Sequence, residues 1–233
     1  MNRDRLEIEL KRIGLNPNQD QLDTLELYMH ETLETNKCFN LTAIKEEDKF
    51  RELMIFDSAY PLKYYNLDDK KIIDVGTGAG YPGTVLAALS KGDFTLLDST
   101  SKKVKFTSIS CSKFRISNVN CVCARAEQYA KEHRDEYDFA VARAVSELCI
   151  LIEMIVPMLK VNGCFIALKG AKANEEIENA KKILEKLGAE IIQIDEYELP
   201  ESKEIRTNII IKKTKPTNTK YPRKYSQIIN GLK

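Results

Sequence analysis

The sequence predicts an α/β fold: a mostly parallel sheet of about seven strands, wound with helices on both faces, behind an N-terminal helical region. Three observations carry that reading. From Lys71 onward short β-branched runs alternate with helical patterns, as parallel strands and their crossover helices do. The first run, Lys71 to Val75, opens directly into glycines at positions 76, 78 and 80. Residues 1–66, in contrast, carry helical periodicity and no strand signal. The expected division is a helical region at 1–66, an α/β domain at 67–214 and a basic tail at 215–233.

Taken in order, Leu6, Leu10 and Ile13 share one helix face, and Gly14 ends that helix. Asn16-Pro17 is suited to cap and start the next, whose Leu22, Leu25, Met29 and Leu33 make an apolar stripe. Asn36, Asn40 and Thr42 mark a turn, and a third helix is expected over roughly 46–65. Ile72, Ile73 and Val75 then read as a strand covered on both faces. The alternation continues with a helix at 85–90, a strand at 94–98, a helix at 101–115 and strands at 119–123 and 137–143. Leu148, Leu151, Ile152, Ile155 and Leu159 share a helix face, and a fifth strand is expected at 164–168. A charged helix at 174–187 leads to two strands near 190–199 and 205–213, close enough to pair antiparallel at the sheet edge.

Composition narrows the class. With 43% hydrophobic and 30% charged residues over 233 positions the chain can bury a substantial core, and no apolar run approaches the roughly 20 residues of a membrane span. The N-terminus lacks an apolar leader, so a cytoplasmic location is expected. Six cysteines without a Cys-x-x-Cys pair, and two histidines, predict no metal site. A net charge of +1 leaves any polyanionic partner to local charge.

The glycine loop carries the first chemistry. Its third glycine comes one position too early for the dinucleotide fingerprint, and no Gly-Lys-Ser/Thr of a phosphate loop follows. An acid before the loop, Asp74, and another ending the next strand, Asp98, suit S-adenosylmethionine. Its sulfonium and amino group need carboxylates or carbonyls, and its ribose needs an acceptor. Gly76 and Gly78 would let backbone approach that ligand; a purely structural strand-to-helix turn is the alternative. For Asp98 the alternative is a helix N-cap. Ala126 and Glu127, after the third strand, can reach an adenine, or Glu127 can be an ordinary first-turn acid. Arg143 closes an apolar strand, where a buried unpaired guanidinium would cost several kcal/mol, so it reads as a cofactor or substrate contact or as a salt bridge. Lys169 repeats that placement at the fifth strand, with a solvated lysine as alternative. From Lys212 on, seven lysines or arginines, no acid, and Tyr221 and Tyr225 describe either an RNA-holding tail or a solvated end.

These residues resemble the glucose-inhibited division protein B family, bacterial methyltransferases that form 7-methylguanosine in 16S ribosomal RNA. The resemblance runs through Asn40-Leu41-Thr42, Asp57-Ser58, residues 74–83, Leu97-Asp98-Ser99 with Lys102-Lys103, Arg125-Ala126-Glu127, Arg143-Ala144-Val145, Leu168-Lys169-Gly170 and Tyr221-Pro222-Arg223-Lys224. It implies a class I S-adenosylmethionine-dependent methyltransferase fold, Rossmann-like, with cofactor contacts at Gly76, Tyr81, Ala126, Glu127 and Arg143. It further implies 16S ribosomal RNA in the small subunit as substrate; a monomer is expected, with Asn40, Lys169, Arg223 and Lys224 as RNA-side candidates. No residue is singled out as a catalyst. Met54 stands where the family has a histidine, and the sequence after Lys224 departs from the family's Gly-x-Pro-x-Lys.

Overall fold

The alternating runs fold into strands β1 (Lys71–Val75), β2 (Asp93–Asp98), β3 (Val119–Cys123), β4 (Tyr137–Arg143), β5 (Leu159–Lys169), β6 (Ala189–Glu198) and β7 (Ile205–Lys213). They form one sheet of order β3-β2-β1-β4-β5-β7-β6 in a computed structural model that describes residues 1–230. The first five are parallel neighbours, and β7 lies antiparallel between β5 and β6. Strand order reverses between β1 and β4, which places a ligand crevice beyond their carboxyl ends.

Each central strand is apolar on both faces, so alternate residues enter two cores. Ile72, Val141 and Ile166 pack in one core with Leu10, Tyr28, Phe50 and Phe56. That face is covered by α1 (Arg3–Arg12), α2 (Gln19–Asn36), α5 (Gly83–Leu89) and α6 (Ser101–Lys113). Ile73, Ala140 and Phe165 face the other core, beneath α7 (Ala126–Glu132), α8 (Leu148–Ile155) and α9 (Ala173–Leu187). The N-terminal helices are thus a layer of the same sandwich.

Three local outcomes differ from expectation. Helix α2 is capped by Asn18, not by Asn16-Pro17, because Asn18 and Gln21 form a reciprocal capping box that satisfies two orphan amides. The third helix is composite: α3 (Glu47–Phe50), a π turn (Arg51–Phe56), α4 (Asp57–Ala59) and a 3-10 turn (Tyr60–Lys63). Leu159, expected on a helix, begins β5 opposite Tyr137, since the 3-10 turn Val156–Met158 with Pro157 ends the helix first.

The basic tail is not a free end over its described length. Arg134 donates to the Tyr221 and Thr217 carbonyls at 2.6 and 2.8 Å. Arg223 forms a bidentate pair with Glu153 on α8, at 2.8 and 2.7 Å, and its amide adds a third bond at 3.0 Å. Short helix α10 (Tyr225–Asn230) follows and buries Ile228 in the second core. Gly231, Leu232 and Lys233, the last of the divergent end, lie outside the described residues.

Candidate active site

Two hollows open side by side at the carboxyl ends of the parallel strands. The first, about 320 Å³, is bounded by Gly76 after β1, Asp98 at the end of β2, Lys103 on α6, Ala126 and Glu127 beyond β3, and Met154 and Tyr225 from the α8 side. The second, about 540 Å³, is bounded by Arg143, Lys169, Asp57, Met54 and Arg206. Ala144, Val145 and Ser146 line both, so this three-residue strip is their shared wall.

The strip is held in an unusual backbone state. Ala144 has φ +54°, a left-handed conformation that costs an L-residue roughly 1–2 kcal/mol, and such strain persists only where surroundings impose it. Lys169 Nζ donates to the Ser146 carbonyl at 2.7 Å and to Glu176 at 2.6 Å. Val145 abuts the glycine loop so closely that a Cβ on Gly76, itself at φ +76°, would lie 2.4 Å from Val145 Cγ2. Gly76 therefore makes room for the wall. Gly78, at φ +60°, has nothing nearer its missing Cβ than the Gly76 carbonyl at 3.9 Å.

Asp98 holds the loop as well as facing the first hollow. Its Oδ2 accepts from the Gly78 amide at 3.0 Å and its Oδ1 from the Thr100 amide at 2.7 Å. Each oxygen retains a second lone pair for a ligand hydroxyl. Asp98 is not the N-cap of α6, which is Thr100; it accepts the Thr100 amide while facing the first hollow. Ala126 and Glu127 lie where a ligand across the strand tips would meet them, with Glu127 also in the first turn of α7.

Asp74 does not reach the hollow. It is fully buried, its Oδ2 accepts the Gly83 amide at 2.8 Å, and burial pushes its carboxyl up to about 6. Its Oδ1 and the Thr77 hydroxyl lie buried without partners. The carboxylate packs against the start of α5, where Gly83 leaves it room: a Cβ there would sit 2.7 Å from Asp74 Oδ2. Tyr81 is likewise buried, edge-on to Tyr28 and Phe50, with its hydroxyl near Thr32 at 3.4 Å. Burial raises its phenol well above the usual value. Its position fastens the glycine loop to the helical layer.

Arg143 turns toward that layer too. It donates to the Leu53 carbonyl at 2.9 Å, to Asp57 at 3.3 Å and to Met54 Sδ at 3.2 Å. The Leu53 carbonyl belongs to the π turn, a feature frequent at functional sites. Asp57, 3% exposed, also accepts the Tyr197 hydroxyl at 2.7 Å and lies 3.7 Å from Arg206. Of the two readings, the salt bridge is formed, and the guanidinium lines the second hollow and not the one beside Asp98. Lys169 is not solvated, since its side chain is 8% exposed.

The RNA-side candidates scatter. Asn40 is exposed in a separate groove with Leu33, Asn36 and Thr42, and its loop reaches the second hollow only through Ile44. Arg223 is engaged by Glu153, whereas Lys224 is exposed. Sequence reasoning missed Val145 as a wall, Arg206 and Glu176 as ionic partners, and Tyr225 as a crevice residue. Only the conspicuous Arg-Ala-Val run hinted at the first; the others depend on contacts across the fold.

Comparison with known proteins agrees with this architecture. A family model described as rRNA small subunit methyltransferase G matches residues 21–205. A ribosomal RNA small subunit methyltransferase G of Caldicellulosiruptor bescii is 43% identical over 87% of this chain and 88% of its own length. Its namesake from Bacillus cytotoxicus is 38% identical over 96% and 95%. A SAM-dependent methyltransferase structure from Aquifex aeolicus superposes with a TM-score of 0.56 at 18% identity, covering 78% of this chain and 98% of that one. The strand order, the glycine loop and these alignments together place the chain in the GidB family, rRNA small subunit methyltransferase G.

Proposed function

We propose that the protein transfers a methyl group from S-adenosylmethionine to N7 of a guanine in 16S ribosomal RNA of the small subunit. The observation that carries this reading is the pair of hollows meeting at Ala144–Ser146, one rimmed by Asp98 and the glycine loop, the other by Arg143, Lys169 and Arg206. The first suits the cofactor: open space over Gly78, free lone pairs on Asp98, and a volume in the usual range for small-molecule sites. When bound there, S-adenosylmethionine supplies an electrophilic methyl group on a sulfonium.

The chain's own residues would position the substrate. Guanine N7 carries an in-plane lone pair and no proton, so its methylation needs no general base. The second hollow fits that requirement, because Asp57 and Glu176 are already engaged by cations and neither His30 nor His133 lines it. Arg143, Lys169 and Arg206 give it a cationic rim for a phosphate or the guanine O6. Their carboxylate partners fix them beforehand, which favours orientation, an effect worth roughly 7–11 kcal/mol in good cases. Incubating the protein with labelled S-adenosylmethionine and small subunits lacking the modification, then digesting to nucleosides, should yield 7-methylguanosine from 16S RNA. Label on another atom, or none, would reject the proposal.

A further inference from the structure

We propose that Tyr225 forms the adenine-facing wall of the cofactor crevice, so that residues 221–230 belong to the cofactor site. The inference rests on the cofactor assignment above. Tyr225 lines the same hollow as Asp98, Ala126 and Met154, although it lies more than a hundred residues beyond the glycine loop. Tyr225 is 39% exposed, so it is accessible to a ligand in that hollow.

The segment carrying it is fastened on both sides. Upstream, Arg223 makes three hydrogen bonds to Glu153, and Met154, next on the same helix, is itself a crevice residue. Downstream, Ile228 is 1% exposed in the core under α8. Tyr225 is thus held at the hollow that it shares with Asp98 and Ala126. With the ribose on Asp98, the attached base reaches Ala126 and Met154, where an aromatic face can stack on a purine. Such stacking falls with loss of the ring and tolerates loss of the hydroxyl.

Titration calorimetry of S-adenosylhomocysteine against the full-length wild type, Tyr225→Ala, Tyr225→Phe and Ser226→Ala tests this. Tyr225→Ala should bind about tenfold more weakly, while Tyr225→Phe and the exposed-neighbour control Ser226→Ala stay within threefold. Unchanged melting of ligand-free Tyr225→Ala should accompany the loss. Wild-type binding with Tyr225→Ala within threefold of it overturns the proposal and leaves the cofactor reading intact. Equal weakening of the Phe and Ala variants overturns it as well, because the ring face would not be what binds. No wild-type binding overturns both.

Discussion

Arg223→Ala is expected to destabilise the whole protein, although the residue sits in a stretch whose composition reads as a solvated basic end. Glu153 is buried, its side chain 1% exposed, and the Arg223 side chain supplies two of the three bonds that Arg223 gives its carboxylate. Breaking a buried pair by removing one partner typically costs about 3–5 kcal/mol. Two features place this pair at the lower end, about 3 kcal/mol: the Arg223 amide still donates to Glu153 Oε1, and the guanidinium is 36% exposed, so water screens part of its interaction. For a chain of this size that loss lowers Tm by about 6–12 °C. Scanning calorimetry of wild type, Arg223→Ala, Glu153→Gln and the double variant measures it. The double variant should lose less than the sum of the singles, since no unpaired charge remains. A Tm within about 1 °C of wild type for Arg223→Ala, or strict additivity, would refute the reasoning and return the tail to solvent.

Four further outcomes follow. Gly78→Val should fold, because its Cβ meets open space, with a loss of about 1–2 kcal/mol from φ +60°, yet should lose S-adenosylmethionine in a binding titration; unchanged affinity would detach Gly78 from the ligand. Asp98→Ala should weaken that binding by about 1–3 kcal/mol, and wild-type affinity would leave Asp98 as a loop and turn acceptor only. Asp74 has a folded-state value of about 6 against 3.8 for the free group, so the folded form binds more protons between those limits. Its contribution is present below about pH 4 and lost as pH rises through about 6, a change of about 3 kcal/mol. Urea unfolding of Asp74→Asn should accordingly gain on wild type from pH 4 to pH 7, and a constant difference would contradict this. Replacing Lys220 and Lys224 by alanine should reduce the log-log salt slope of small-subunit binding by about 1.5 units if both contact phosphate; equal slopes would place the RNA elsewhere.

Much of the architecture is legible in the sequence because local periodicity sets it. The bounds of β3 and β4 follow directly from their β-branched and apolar runs between turns. What escapes is decided by partners far along the chain. The pairing of Leu159 with Tyr137 turns a helix-like position into a strand start. The π turn gains its meaning only when Arg143, ninety residues on, reaches the Leu53 carbonyl. The same holds for the site. Asp98 and Ala126 are placed by the strand-tip rule, but which way Asp74 points depends on the Gly83 amide of the following helix. Arg223 reads as a phosphate contact from charge alone, since nothing local announces that a buried Glu153 waits seventy residues upstream.

The central claim is that the two hollows divide the labour, with the cofactor on the Asp98 side of the Ala144–Ser146 wall. A crystal structure of the protein with S-adenosylhomocysteine measures this most directly. The account predicts the ribose hydroxyls within hydrogen-bond distance of Asp98, the adenine beside Ala126 and Met154, and the sulfur near the shared wall. Ligand density in the hollow rimmed by Arg143 and Lys169 would contradict it.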